Sequence, residues 1–170
     1  MVNIPATVSA ACFDREVWIR IEGRGNFQSS GSIKKFAQAM IQRGHRNFVI
    51  DLAECEHMDS TFMGTLTGIS QKLREQENGC LLAINVSPRN MELLENLGLT
   101  FLFDVEAAGS PPKIPAEVGA QLMNLLIDPV SDHDLILSAH EALVAANPVN
   151  ADRFRDVLEY LKQGGGGTGR

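Results

Sequence analysis

Two apolar runs, FVIDL at 48–52 and CLLAINV at 80–86, constrain this chain more than any other feature. Phe48 to Ile50 with Leu52 leave no polar face, and the second run repeats the pattern. A strand with one wet face alternates; a strand without alternation is covered on both sides, as in a parallel sheet. Between the two runs Phe62, Leu66, Ile69 and Leu73 recur on one side of a 3.6-residue period. A strand, a helix and a second buried strand imply a right-handed crossover, with helices packed on the sheet.

The flanking segments extend this pattern. ATVSAACF and EVWIRIEG, separated by Asp14-Arg15, predict an antiparallel hairpin, with Val17, Ile19 and Ile21 on one face and Trp18, Arg20 and Glu22 on the other. Trp18 then belongs to the far sheet face or meets a helix from the tail. GRGNFQSSGS reads as a polar glycine-rich loop, followed from Ser32 by a helix that buries Ile33, Phe36, Ala37, Met40 and Ile41 and stops at Gly44. SPRNMELLENLGL predicts a helix capped by Ser87, with Pro88 in its first turn and Gly98 as terminator. FLFDV reads as a last short strand. The order β-β-α-β-α-β-α-β makes residues 1–108 an α/β domain with a mixed sheet, its strand-to-helix loops along one rim.

AAGSPPKIPAE interrupts the periodicity and marks a connector at 109–116. Three helices are expected over 117–163: AEVGAQLMNLLI, SDHDLILSAHEALVAA capped by Ser131, and NADRFRDVLEYLKQ capped by Asn150. Their stripes, Val118/Leu122/Leu125, Leu135/Ala139/Leu143 and Phe154/Val157/Leu158/Leu161, need burial on the first domain, on one another, or on a second copy in a homodimer. A glycine-rich tail, 164–170, completes the chain.

Charge narrows the function classes. A net charge of −6 without a Lys/Arg cluster argues against nucleic acid, whose binding needs concentrated positive charge. Cys12, Cys55 and Cys80 form no CxxC pair and read as buried free thiols of a reducing compartment. No run approaches the roughly 20 apolar residues of a membrane span, so a cytoplasmic protein is expected. GRGNFQSSG lacks the third glycine and the Lys-Ser/Thr of a phosphate loop, which leaves no expected cofactor. Cys55, His57 and Asp59 lack a second ligand pair at zinc spacing, and no metal is expected. His133 and His140, seven apart, read as surface residues. Ser60 with His57 and Asp59 lacks a nucleophile elbow, so no catalytic residue and no enzyme is expected.

The junction MDSTFMG places Asp59, Ser60 and Thr61 at the start of a helix. The first N–H groups of a helix lack internal partners, and Asp59 or Ser60 can satisfy one of them. A hydroxyl there is also reachable by a kinase, and a phosphate would bring about −1.5 to −2 charge to a helix end that tolerates it. The stretch FVIDLAECEHMDSTFMGTLTGI resembles the central motif of the STAS family of anti-sigma factor antagonists: an apolar strand ending in Asp-Leu, a short loop, then Asp-Ser-(Ser/Thr)-Gly-x-(Gly/Ala) entering a helix. Asp51, Leu52, Asp59, Ser60, Thr61 and Gly64 match it, and IEGRGNF resembles the family's GxLD region. The resemblance implies that Ser60 is a phosphoacceptor, with Thr61 second choice. It also implies that Gly25, Asn26, Asp59, Ser60, Thr61, Phe62 and Gly64 meet an anti-sigma factor or a kinase of the histidine-kinase-like ATPase fold, and that phosphate abolishes binding. Phe62 stands where the family usually carries Gly, and Asn26 where Asp is common. The alternative is a constitutive STAS scaffold or ligand-binding module in which Ser60 only caps the helix.

Overall fold

A computed structural model describes residues 6–108, 115–125 and 133–164. Strands β1 (Thr7–Phe13) and β2 (Glu16–Gly25) form the expected hairpin, in register Ala10 opposite Ile19. Its two-residue turn holds Asp14 and Arg15 at φ 49° and 69°, the primed geometry that suits twisted strands. Helix α1 (Phe27–Gln42) leads to β3 (Asn47–Asp51), β4 (Cys55–Met58), α2 (Ser60–Arg74), β5 (Cys80–Val86), α3 (Pro88–Asn96) and β6 (Asp104–Ala107). The tail contributes α4 (Ala116–Gln121), β7 (Met123–Asn124), α5 (His133–Ala146), α6 (Asn150–Arg153) and α7 (Arg155–Gly164).

The sheet runs β6-β5-β3-β2-β1-β7, with β4 pairing the far end of β2. β2, β3, β5 and β6 are parallel neighbours, while β1 is antiparallel to β2 and β7. The helix side buries Val17, Ile19, Phe48, Ile50, Leu81 and Ala83 against Ile33, Phe62, Leu66 and Leu73. The opposite side gathers Ala11, Trp18, Val49 and Ile84 under Val118 of α4. FVIDL lacks a polar face because Phe48 and Ile50 serve one layer and Val49 the other.

Several expectations give way. The glycine-rich loop shrinks to Asn26: β2 continues through Gly25, and α1 starts at Phe27 rather than Ser32. Asn26 supplies the reason, because its Oδ1 accepts from the N–H groups of Gln28 and Ser29 while Ser29 Oγ accepts from its N–H. The extended β2 offers an edge on which CEHM, expected as loop, becomes β4. FLFDV divides into a 3₁₀ turn, Leu99–Phe101, and β6. AEVGAQLMNLLI stops being helical at Leu122, because Met123–Asn124 instead pairs with β1, Asn124 opposite Ser9. The third tail helix breaks at Phe154 into α6 and α7. Asn150 is no cap; it lies buried, its Nδ2 donating to the carbonyls of Leu97 and Leu143. Ser131, most of the connector and most of the glycine tail lie outside the described residues.

Candidate functional site

Two chain crossings meet on one rim. β2 ends at Gly25 and β4 at Met58, side by side, and the Asp59 N–H donates to the Gly25 carbonyl at 2.8 Å. Each strand turns directly into a helix, so the starts of α1 and α2 are neighbours. One carboxylate serves both: Asp59 Oδ1 accepts from the Phe62 N–H at 2.8 Å, and Oδ2 from the Phe27 N–H at 3.0 Å. Asp59 is therefore the N-cap of α2, and Ser60 is its first helical residue.

That division of labour releases the Ser60 hydroxyl from capping. It lies half-buried, 2.9 Å from Nε2 of His140 on α5. His140 Nδ1 is 2.8 Å from the Ile136 carbonyl, which can only accept, so Nδ1 carries a hydrogen. In the neutral imidazole Nε2 then accepts, and Ser60 is the donor. Phe154 meets the imidazole edge-on at 5.1 Å. His140 is 3% exposed, which corrects its expected place on the surface. The apolar stripe carried a signal that was available: His140 adjoins Ala139 and precedes Leu143 by three residues, so it flanks the buried face.

The other candidate residues are spread through the layer below. Thr61 is buried, and Phe62 lies wholly within the core. A Cβ on Gly25 would lie 2.8 Å from the Phe62 ring, so the glycine leaves the room that the phenylalanine fills. Gly64 is covered by α5: a Cβ there would lie 2.2 Å from the Ala139 carbonyl oxygen. Asn26 is committed to capping α1.

Beside the rim, a groove of about 470 Å³ is lined by Arg20, Glu22, Asp51, Glu54 and Glu56. Asp51 is buried and paired to Arg20 at 3.3 Å; it also accepts from Asn85 Nδ2 and the Ala53 N–H. Of the three cysteines expected to be buried, Cys12 and Cys80 are exposed and Cys55 is buried, its thiol pushed up from its ordinary value chiefly by that burial. Among the described residues no cluster of His, Cys, Asp or Glu could hold a metal ion, and no helix is long and apolar enough to cross a membrane.

This geometry defines an α/β domain whose mixed sheet and adjacent helix starts present one rim. The chain belongs to the STAS domain family, which it matches over residues 7–110. Solved structures with this fold include a Thermotoga maritima protein provisionally described as an anti-sigma factor antagonist, 14% identical with a TM-score of 0.54 over 66% of this chain and 92% of that one. They also include the anti-sigma factor antagonist SpoIIAA in its unphosphorylated form, 20% identical with a TM-score of 0.50 over 59% of this chain and 88% of that one. At such identities the likeness establishes the fold. No curated protein matches the chain. Helices α5 to α7 lie beyond the matched residues.

Proposed function

We propose that this protein is a non-enzymatic switch in transcription control, acting in the cytoplasm, whose binding to an anti-sigma factor or its kinase is set by phosphorylation of Ser60. The observation that carries the reading is the assignment of roles at the rim. Asp59 caps α2, so the Ser60 hydroxyl is not needed to hold the helix start. A phosphate at that oxygen would add about −1.5 to −2 charge next to Asp59, penalising a closely packed partner without dismantling the sheet. Gly25 and Asn26 adjoin Asp59 and would border the same contact. Thr61 is the weaker acceptor because it is buried. Val157 and Tyr160 are exposed on α7 and would serve a homodimer.

The test measures binding of Ser60→Ala and Ser60→Asp proteins to the cognate anti-sigma kinase, with phosphosite mapping of protein from its native cell. Ser60→Ala should bind at least as tightly as the unmodified protein does, and Ser60→Asp more than about tenfold weaker. Equal binding by both would favour a constitutive scaffold. That second reading draws on the hydrogen bond to His140, which engages the hydroxyl in the unmodified chain.

A further inference from the structure

We infer that α5 occupies, in cis, the face of α2 that a partner must reach, so that the folded chain is the closed state of an autoinhibited module. The inference builds on the proposed function and adds a second control, the docking of α5, to the modification of Ser60.

Four α2 residues at helical spacing meet α5. Ser60 bonds to His140 at 2.9 Å; Gly64 lies against the Ala139 backbone; Gly68 faces Ala142; and Gln71 Nε2 donates to the Ala142 carbonyl at 3.4 Å. Residues 60, 64, 68 and 71 share one helix face. Glycine costs an interior helical position about 1 kcal/mol relative to alanine, and at Gly64 it is the close approach of α5 that requires it. From α1, Lys34 Nζ donates to Ser138 Oγ at 3.0 Å. The helix thus lies along α2 from the acceptor hydroxyl onward, and a docking protein would collide with it.

The α2 strip that meets α5 carries small and polar groups. It includes Ser60, Gly64, Gly68 and Gln71, while Phe62, Leu66 and Leu73 belong to the helix-side core. The apolar hold centres on Leu143 of α5, which belongs to the helix-side core, so lifting α5 withdraws that side chain from the layer. Leu135 and Ala139 of α5 are buried as well. Beside the seam, an open groove of about 520 Å³ lies between α1, α2 and α5, lined among others by Lys34, Ile41, Ile69, Gln71, Glu75 and Glu141. The latch also protects the switch: while the Ser60 hydroxyl is bonded to His140, its oxygen is held against α5 and away from a phosphoryl donor.

Two full-length variants test this. Gly64→Ala places a methyl whose three nearest neighbouring atoms all belong to Ala139, at 2.2 to 2.9 Å, and should lift α5 while leaving the sheet intact. Gly68→Cys/Ala142→Cys, in a background with Cys12 and Cys80 replaced by serine, locks it. The Cβ built at Gly68 lies 3.9 Å from that of Ala142, within disulfide range. Hydrogen exchange of α5 verifies the open and locked states. The binding probe is a panel of individually purified anti-sigma kinases of the histidine-kinase-like ATPase fold from the same organism. Gly64→Ala should bind at least about tenfold tighter than the unaltered chain, because the competent fraction rises. The oxidised pair should lose binding and regain it on reduction, a comparison within one molecule that stands even where Gly64→Ala fails to fold. Equal binding by locked and reduced forms, with Ser60→Asp still weakening it, overturns the closed state and leaves the switch intact. Absence of binding by every form, open ones included, overturns both.

Discussion

Gly25 and Phe62 form a matched pair. The first lacks a side chain where the second needs space, and 37 positions separate them in the chain. A methyl at residue 25 would lie 2.8–2.9 Å from three ring carbons of a wholly buried Phe62. Gly25→Ala should therefore cost about 1–3 kcal/mol, as overpacking does. In a Phe62→Leu background the cost should shrink, giving a coupling of about 0.5 kcal/mol or more in a urea double-mutant cycle. The sequence marked Phe62 as a departure from the family pattern, but the compensating glycine was visible only after folding. Cys55 carries a different signature. Burial raises its thiol above the ordinary 9.0, so the folded chain keeps that proton longer than the unfolded one. Its share of stability is full below pH 9 and falls as pH climbs toward the folded value. Urea midpoints measured from about pH 8 to about pH 10 should drop, and Cys55→Ala should flatten part of that slope.

Two helices depend on one carboxylate. Asp59 accepts from the first residue of α1 and from the first turn of α2, so Asp59→Ala should destabilise the protein by about 1–2 kcal/mol. Hydrogen exchange should show the first turns of α1 and α2 losing protection together, whereas an ordinary cap would release one helix alone. The helical periods of α1, α2 and α3 were legible because side chains three and four apart share a face whatever the surroundings. The ends were less legible. Asn26 and Ser32 are both good caps on paper, and what selects Asn26 is the continuation of β2 to Gly25. Met123–Asn124 followed a helical stretch and nevertheless joined the sheet, since the edge of β1 supplied backbone partners. Asn150 looked like a cap and became a buried tie between α5 and the end of α3, meeting two carbonyls that no local pattern announces.

The molecule has two apolar layers of unequal depth. The helix-side core spans the sheet, while the far side is a smaller cluster around Trp18 beneath Val118. Trp18 is the chain's only tryptophan, so its emission reports that far side by itself. Val118→Ala should cost about 1.5 kcal/mol for two lost methyl equivalents and shift Trp18 emission to the red. The exchange protection of α2 should be unchanged, because Val118 and Phe62 belong to separate clusters. An accompanying loss in α2 would show that the layers unfold as one.

What the sequence by itself determined is the scaffold: buried runs without a polar face, helices between them, and a serine following an aspartate at the rim. These follow from side-chain periods of two and of 3.6, which act over a few residues. Only the tertiary structure decided what stands opposite that serine. Ser60 and His140 are 80 positions apart and carry no shared pattern. They meet because Gly64 and Gly68 let α5 approach α2 closely, and such an approach is a property of two packed surfaces rather than of either strip of sequence.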